Sequence, residues 1–220
     1  MNTMSETEVV RNMERRHIFR QEGQTVMYNG RRYVQEGPVQ YNGSWSGTLV
    51  LKDADTGERF LIKAMRSKFF NAREPYGPLK RFVLEVVYQQ KAAPIAPRIV
   101  HYGVGNAFMD LPCIFDSEIL FIWMEYRGQT LREYLDIDSS NVVAIRSQAV
   151  AKYRELAEKG FYMQDVSLDN VVIDAEGVVS VIDFDPILVH LGEYVQSVHD
   201  EKIAAQFEPY VTQVKQFASP

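Results

Sequence analysis

Residues 162–174 read Tyr162-Met163-Gln164-Asp165-Val166-Ser167-Leu168-Asp169-Asn170-Val171-Val172-Ile173-Asp174, and Val181-Ile182-Asp183-Phe184-Asp185 follows within seven residues. Two β-rich runs, 171–173 and 178–182, flank Asp174-Ala175-Glu176-Gly177, whose Asp and Gly are turn formers. A hairpin is therefore expected. Asp165 precedes Asn170 by five residues, and Asp183 ends the hairpin thirteen residues beyond Asn170. An Asp-x-x-x-x-Asn spacing recurs by chance. Ahead of a hairpin that ends in Ile-Asp-Phe, it becomes fairly specific.

Working outward, the first half reads as β-structure. Asn29-Gly30 is a turn signal before Arg31-Arg32-Tyr33-Val34. Thr48-Leu49-Val50-Leu51 is a second run, closed by Asp53-Ala54-Asp55-Thr56-Gly57, and Phe60-Leu61-Ile62-Lys63-Ala64-Met65 is a third. Period-two alternation puts Leu61 and Lys63 on one face and Phe60, Ile62 and Ala64 on the other. Residues 79–91 suit a helix with Phe82, Val83, Val86 and Val87 on one side, stopped by Pro94 and Pro97. Strands are expected over 99–104 and 119–124, and helices over 130–135, 140–159 (closed by Gly160) and 192–216. Residues 1–24 read as an N-terminal extension with a short helix near 8–19. The order of elements describes an α+β layout, with a sheet-rich part over 25–124 and a helical part over 125–220.

These segments together resemble protein kinases over residues 33–186. The resemblance implies a bilobal kinase-like fold, with a β-rich N-lobe and a truncated helical C-lobe. It implies ATP as substrate and Mg2+ as cofactor, with Mn2+ the alternative ion. Asp165 matches the catalytic-loop carboxylate that takes the acceptor hydroxyl's proton, while Asn170 and Asp183 match the metal ligands. Lys63 matches the third-strand lysine that holds the α/β-phosphates, and Glu85, 22 residues later, its ion-pair partner. Met124 falls at the gatekeeper position before the adenine-contacting backbone of Glu125, Tyr126 and Arg127. Val172 and Leu61 line the adenine site. The glycine-rich loop is the poorest match: Gly47 fits its last glycine, Leu49 the apolar residue after it, and Gly43 and Ser44 the close approach to phosphate. A plain hairpin explains that loop almost as well.

Several departures from the family matter. Met163-Gln164 stands for His-Arg before the catalytic Asp, Ser167 for a lysine, and Asp185 for the glycine of Asp-Phe-Gly. Only 35 residues follow the last motif, with no Ala-Pro-Glu. Such brevity is similar to the short effector kinases that pathogenic bacteria deliver into host cells, and to compact viral kinases. It implies an atypical serine/threonine kinase with a protein substrate, a host protein among the candidates, and an enzyme that is constitutive or switched by an activating protein partner.

Composition narrows the alternatives. Apolar residues make up 46% and charged residues 24% of the 220, as in ordinary globular proteins. The single cysteine, Cys113, and the lack of an apolar N-terminal signal lead to the expectation of a cytoplasmic protein, in the host cytoplasm if it is secreted. The net charge of −5 argues against nucleic acid, and no apolar run is long enough to span a membrane. Residues 1–100 carry +6 and residues 101–220 carry −11, an asymmetry that suits phosphate-binding and metal-binding parts or two plain solvated surfaces. Two other functions compete. One is a pseudokinase-like nucleotide-binding module, favoured by Ser167. The other is a small-molecule kinase, suggested by Ile182-Asp183-Phe184-Asp185, although the chain lacks the length for a substrate-binding helical insert.

Overall fold

The computed structural model describes residues 5–12, 14–15, 19–21, 25–42, 46–66, 77–106, 118–186, 189–191 and 196–217. The chain is mixed α+β, and its contacts divide it into two compact units. Met1–Gln90 and Arg98–Tyr126 form the first; Lys91–Pro97 and Arg127–Pro220 form the second.

The first unit runs α1 (Glu6–Asn12), β1 (Glu14–Arg15), β2 (Phe19–Gln21), β3 (Thr25–Tyr28), β4 (Arg31–Asn42), β5 (Ser46–Asp53), β6 (Arg59–Arg66), α2 (Pro78–Lys91), β7 (Ile99–Asn106) and β8 (Glu118–Glu125). Its strands make one curled sheet in the order β1-β7-β8-β6-β5-β4-β3-β2, antiparallel except for β1 beside β7. The stretch 1–24, expected as an extension, thus supplies two strands. Asn29 and Gly30, both at positive φ (50° and 75°), make the two-residue turn between β3 and β4. β4 continues through Gly37 to Asn42 with a register shift after Glu36, so most of the segment read as a glycine loop is strand.

One face of this sheet holds the unit's apolar cluster, where Leu49, Leu51, Phe60, Ile62, Phe121 and Trp123 pack with Tyr28 and Tyr33. Its edge-to-face rings add specific geometry to apolar burial. The other face carries Lys63 and Met124, which reach side chains of α2. That helix is buried from Arg81 to Gln89, far beyond a single amphipathic stripe.

The turn between β5 and β6 is built on Asp53. Its Oδ1 accepts the N–H groups of Asp55 (2.9 Å) and Thr56 (3.0 Å), and its Oδ2 meets Arg31 Nη2 at 2.9 Å. Chiefly the Thr56 N–H, with the Asp55 N–H and the Arg31 charge, holds this carboxyl below its usual range against the effect of burial. A depressed folded-state pKa means the stabilisation is complete above the unfolded value of about 3.9 and is lost as pH falls through the folded value. Asp53→Asn is therefore expected to melt below the native chain near neutrality, with the two melting temperatures converging in acid. A gap that stays constant from neutrality to about pH 2 would contradict the linkage.

The second unit runs β9 (Gln129–Thr130), α3 (Leu131–Ile137), α4 (Val142–Glu158), β10 (Phe161–Met163), a 3-10 turn (Leu168–Asn170), β11 (Val171–Ile173), β12 (Val179–Val181), β13 (Val189–Leu191) and α5 (Gln196–Phe217). α3 starts on a capping box: Thr130 Oγ1 accepts the Glu133 N–H, and Glu133 Oε2 accepts the Thr130 N–H. β12, β11 and β9 form one small sheet, β10 and β13 another. Gly128, at φ 92°, lets β9 close on β11, since a Cβ there would lie 1.8 Å from the Ile173 carbonyl oxygen. The expected hairpin is present, its turn held by Asp174 Oδ1 accepting the N–H groups of Glu176 and Val178. No described helix is long and apolar enough to cross a membrane.

Candidate functional site

In the first unit, Lys63 Nζ meets Glu85 Oε1 at 2.6 Å. The two side chains are 11% and 1% exposed, so this is a buried ion pair. Lys63 stands on β6, and Glu85 is the only acid of α2. Gln89 lies one helical turn on, and its Nε2 donates to Met124 Sδ at 3.4 Å. Gln89 was not among the residues singled out from sequence, although its i,i+4 spacing from Glu85 was a usable signal.

Register decides which neighbours share the Lys63 face. Thr48 pairs with Lys63 and Val50 with Leu61, whereas Leu49 pairs with Ile62. Leu49 is packed in the apolar cluster on the Ile62 face. Val50 rather than Leu49 therefore stands with Leu61 and Lys63. Gly47 lies in β5 opposite Ala64, and Gly43 and Ser44 lie outside the described residues. Met124 pairs with Leu61 on β8. The N–H groups of Glu125 and Tyr126 bond the carbonyls of Arg98 (3.0 Å) and Arg59 (3.3 Å), so those two donors are engaged within the unit.

In the second unit, the 3-10 turn brings Asn170 onto Asp165. Asn170 Nδ2 donates to the Asp165 backbone carbonyl and to its Oδ2, both at 3.1 Å. Both partners are acceptors, so the amide nitrogen must face Asp165 and Asn170 Oδ1 faces away from it. Ser167, where the family resemblance leads to a lysine, caps this turn by accepting the Asp169 N–H at 3.2 Å. Arg132 clamps the same turn, its Nε 2.9 and 3.0 Å from the two Asp169 oxygens.

The hairpin carries the chain back to this turn. Ile182 N–H bonds the Asn170 carbonyl at 2.9 Å, and Asp183 is the next residue. Asp183 has φ 65°, a left-handed conformation that Asp and Asn tolerate better than most residues. Phe184 and Asp185 are buried (0% and 1% exposed), and Phe184 packs edge-on to Phe161. Val172 lies in the middle strand of the small sheet, between Ser180 and Thr130. Tyr153 of α4 is fully buried, and burial first, then the Asp165 charge, pushes its phenol far above the ordinary range.

The amide oxygen of Asn170, turned away from Asp165, and the carboxylate of Asp183 are the donor types a hard cation takes. No cluster of three or more His, Cys, Asp or Glu is gathered for a metal among the described residues. Compared with known proteins, the chain matches no family model and no curated protein sequence.

Proposed function

We propose that this chain is an atypical protein kinase that moves the γ-phosphoryl group of ATP to a serine or threonine hydroxyl of a protein. The observation that carries this reading is the buried Lys63–Glu85 pair. Burying two charges is expensive, and an apolar pair of similar size often stabilises a fold as well or better. A buried lysine paired with a buried carboxylate is understandable if it must present a fixed positive charge to a polyphosphate.

In this mechanism Lys63 neutralises the α/β-phosphates, oriented by Glu85. Leu61, Val50 and Met124 offer apolar surface to the adenine. Asn170 Oδ1 and the Asp183 carboxylate would hold Mg2+, which supplies charge neutralisation on the phosphates when bound. Asp165 orients the acceptor hydroxyl and takes its proton as the oxygen attacks the γ-phosphorus, and ADP leaves. Asn170, bonded to both the main chain and the carboxylate of Asp165, fixes that base.

A second reading, a nucleotide-binding module without transfer, is favoured by Ser167, which is committed to capping and brings no cation. Labelled ATP with magnesium, offered with a eukaryotic lysate, separates the two. Asp165→Asn is expected to lower transfer at least about a hundredfold while nucleotide still raises the melting temperature. Absence of transfer by the native chain, with the thermal shift retained, supports the binding module. Neither transfer nor shift overturns both. Transfer that appears only with lysate components added to a purified substrate would point to an activating partner.

A further inference from the structure

Within the second unit, a line of polar side chains runs from α5 to the turn that carries Asp165 and Asn170. The turn itself is tied down at Asp169. Ser167 Oγ accepts the Asp169 N–H and donates to Asp169 Oδ2, both at 3.2 Å. The next N–H, that of Asn170, bonds the Ser167 carbonyl at 3.1 Å. Arg132 of α3 holds the same Asp169 carboxylate from outside the turn. Any shift of Asp169 therefore carries with it the Asn170 amide that donates to Asp165.

The Arg132 and Asp169 side chains are 44% and 54% exposed, and an isolated ion pair at that exposure adds little. This pair is not isolated. Asp136 stands one helical turn beyond Arg132 on α3, and Tyr210 of α5 donates its phenol hydrogen to Asp136 Oδ1 at 2.7 Å. Burial first, then the hydrogen bond to Asp136 and the charge of that carboxylate, push the Tyr210 phenol above its usual range, so it stays a donor at neutral pH. The Arg132 charge acts on the same phenol in the opposite sense, which places the guanidinium near it. Tyr210 is in turn a fixed post. Ile203, Phe207 and Val211 bury one stripe of α5, and Glu208 meets Arg146 of α4 at 3.1 Å.

We propose that Tyr210 and Arg132 are positioning residues for phosphotransfer: Tyr210 sets Asp136 and Arg132, Arg132 sets Asp169, and Asp169 sets the turn from which Asp165 meets the acceptor. This rests on the phosphotransferase reading above. Neither residue contacts the nucleotide in this scheme, and both act only through the turn.

Amide hydrogen exchange of the full chain, read residue by residue by NMR, tests the relay without any catalysis. Tyr210→Phe removes one oxygen and keeps the ring, and Arg132→Gln removes the charge. Each should speed exchange of the Asp169 and Asn170 N–H groups about fivefold. The double variant should go no further than Arg132→Gln alone, because both changes cut one line. The Val178 N–H, held by Asp174 in the hairpin turn, should keep its native rate. Glu208→Gln, which breaks a surface pair outside the relay, should leave the Asp169 and Asn170 rates unchanged. In the labelled-ATP assay Tyr210→Phe and Arg132→Gln should each lower kcat about fivefold with the KM for ATP unchanged, as expected of groups that act on the base and not on nucleotide binding. Native exchange rates in Tyr210→Phe, an equal rise at Val178, additive effects in the double variant, or a faster-exchanging turn with native kcat would each overturn the proposal. A native chain that transfers no phosphate would remove the phosphotransferase reading and the catalytic part of the proposal with it, while the exchange rates alone would still decide whether Tyr210 and Arg132 hold the turn.

Discussion

Glu85→Ala is expected to destabilise the first unit by about 3–5 kcal/mol, because it takes a buried carboxylate from the Lys63 ammonium in a site where that side chain is only 11% exposed. The paired apolar replacement, Lys63→Met with Glu85→Leu, should return stability to within about 1 kcal/mol of the native chain, or above it. The contrast separates the value of the pair from the cost of breaking it. Urea unfolding followed by Trp123 fluorescence, in a Trp45→Phe background, reads the first unit directly and avoids treating both units as one transition. Both variants should lose phosphotransfer, since neither presents an oriented cation. A Glu85→Ala chain that unfolds at the native urea midpoint would mean the ion pair does not exist as described. A double variant that regains stability and retains transfer would remove Lys63 from the mechanism.

What was legible in the sequence came from two sources, local signals for the elements and the family resemblance for the site. Lys63 and Glu85 could be paired only through the family resemblance, whose lysine–glutamate order they match; taken alone, a strand lysine and a single helix acid read as surface residues. Asp165 and Asn170 were singled out by their five-residue spacing ahead of the hairpin, whereas the hydrogen bonds between them, made as the 3-10 turn closes, were not read from the sequence. The hairpin announced itself through Asp174 and Gly177, whose side chain and positive φ build the turn. Register was harder. Leu49 and Val50 are both apolar, and only the pairing of β5 with β6 decides which one stands beside Leu61. A one-residue slip exchanges the faces of the whole strand. β1 and β2 escaped notice for another reason. Glu14–Arg15 and Phe19–Gln21 are too short and too charged to alternate, and they become strands only through the neighbours they join.

The Asp183→Asn chain should lose at least about a hundredfold in phosphotransfer while its folding stability stays within about 1 kcal/mol of native. The choice of asparagine follows from the backbone. Asp183 sits at φ 65°, where alanine would add strain of its own, whereas asparagine tolerates the left-handed region nearly as well as aspartate. Any loss then reports the charge alone. An amide keeps an oxygen of the same reach but removes the negative charge that, in the proposed mechanism, would attract Mg2+, so the metal concentration for half-maximal rate should rise along with the loss in rate. Asn170→Asp is the informative counterpart. It restores the charge on the neighbouring ligand but replaces the NH2 group that now donates to the Asp165 carboxylate, so two carboxylates would face each other at that contact. Combining the two changes should therefore recover metal affinity without recovering rate, because the base has lost the donor that orients it. A double variant with full activity would show that Asp165 needs no such donor. A single Asp183→Asn chain as active as the native one at low magnesium would take Asp183 out of the metal site and with it the phosphotransferase reading.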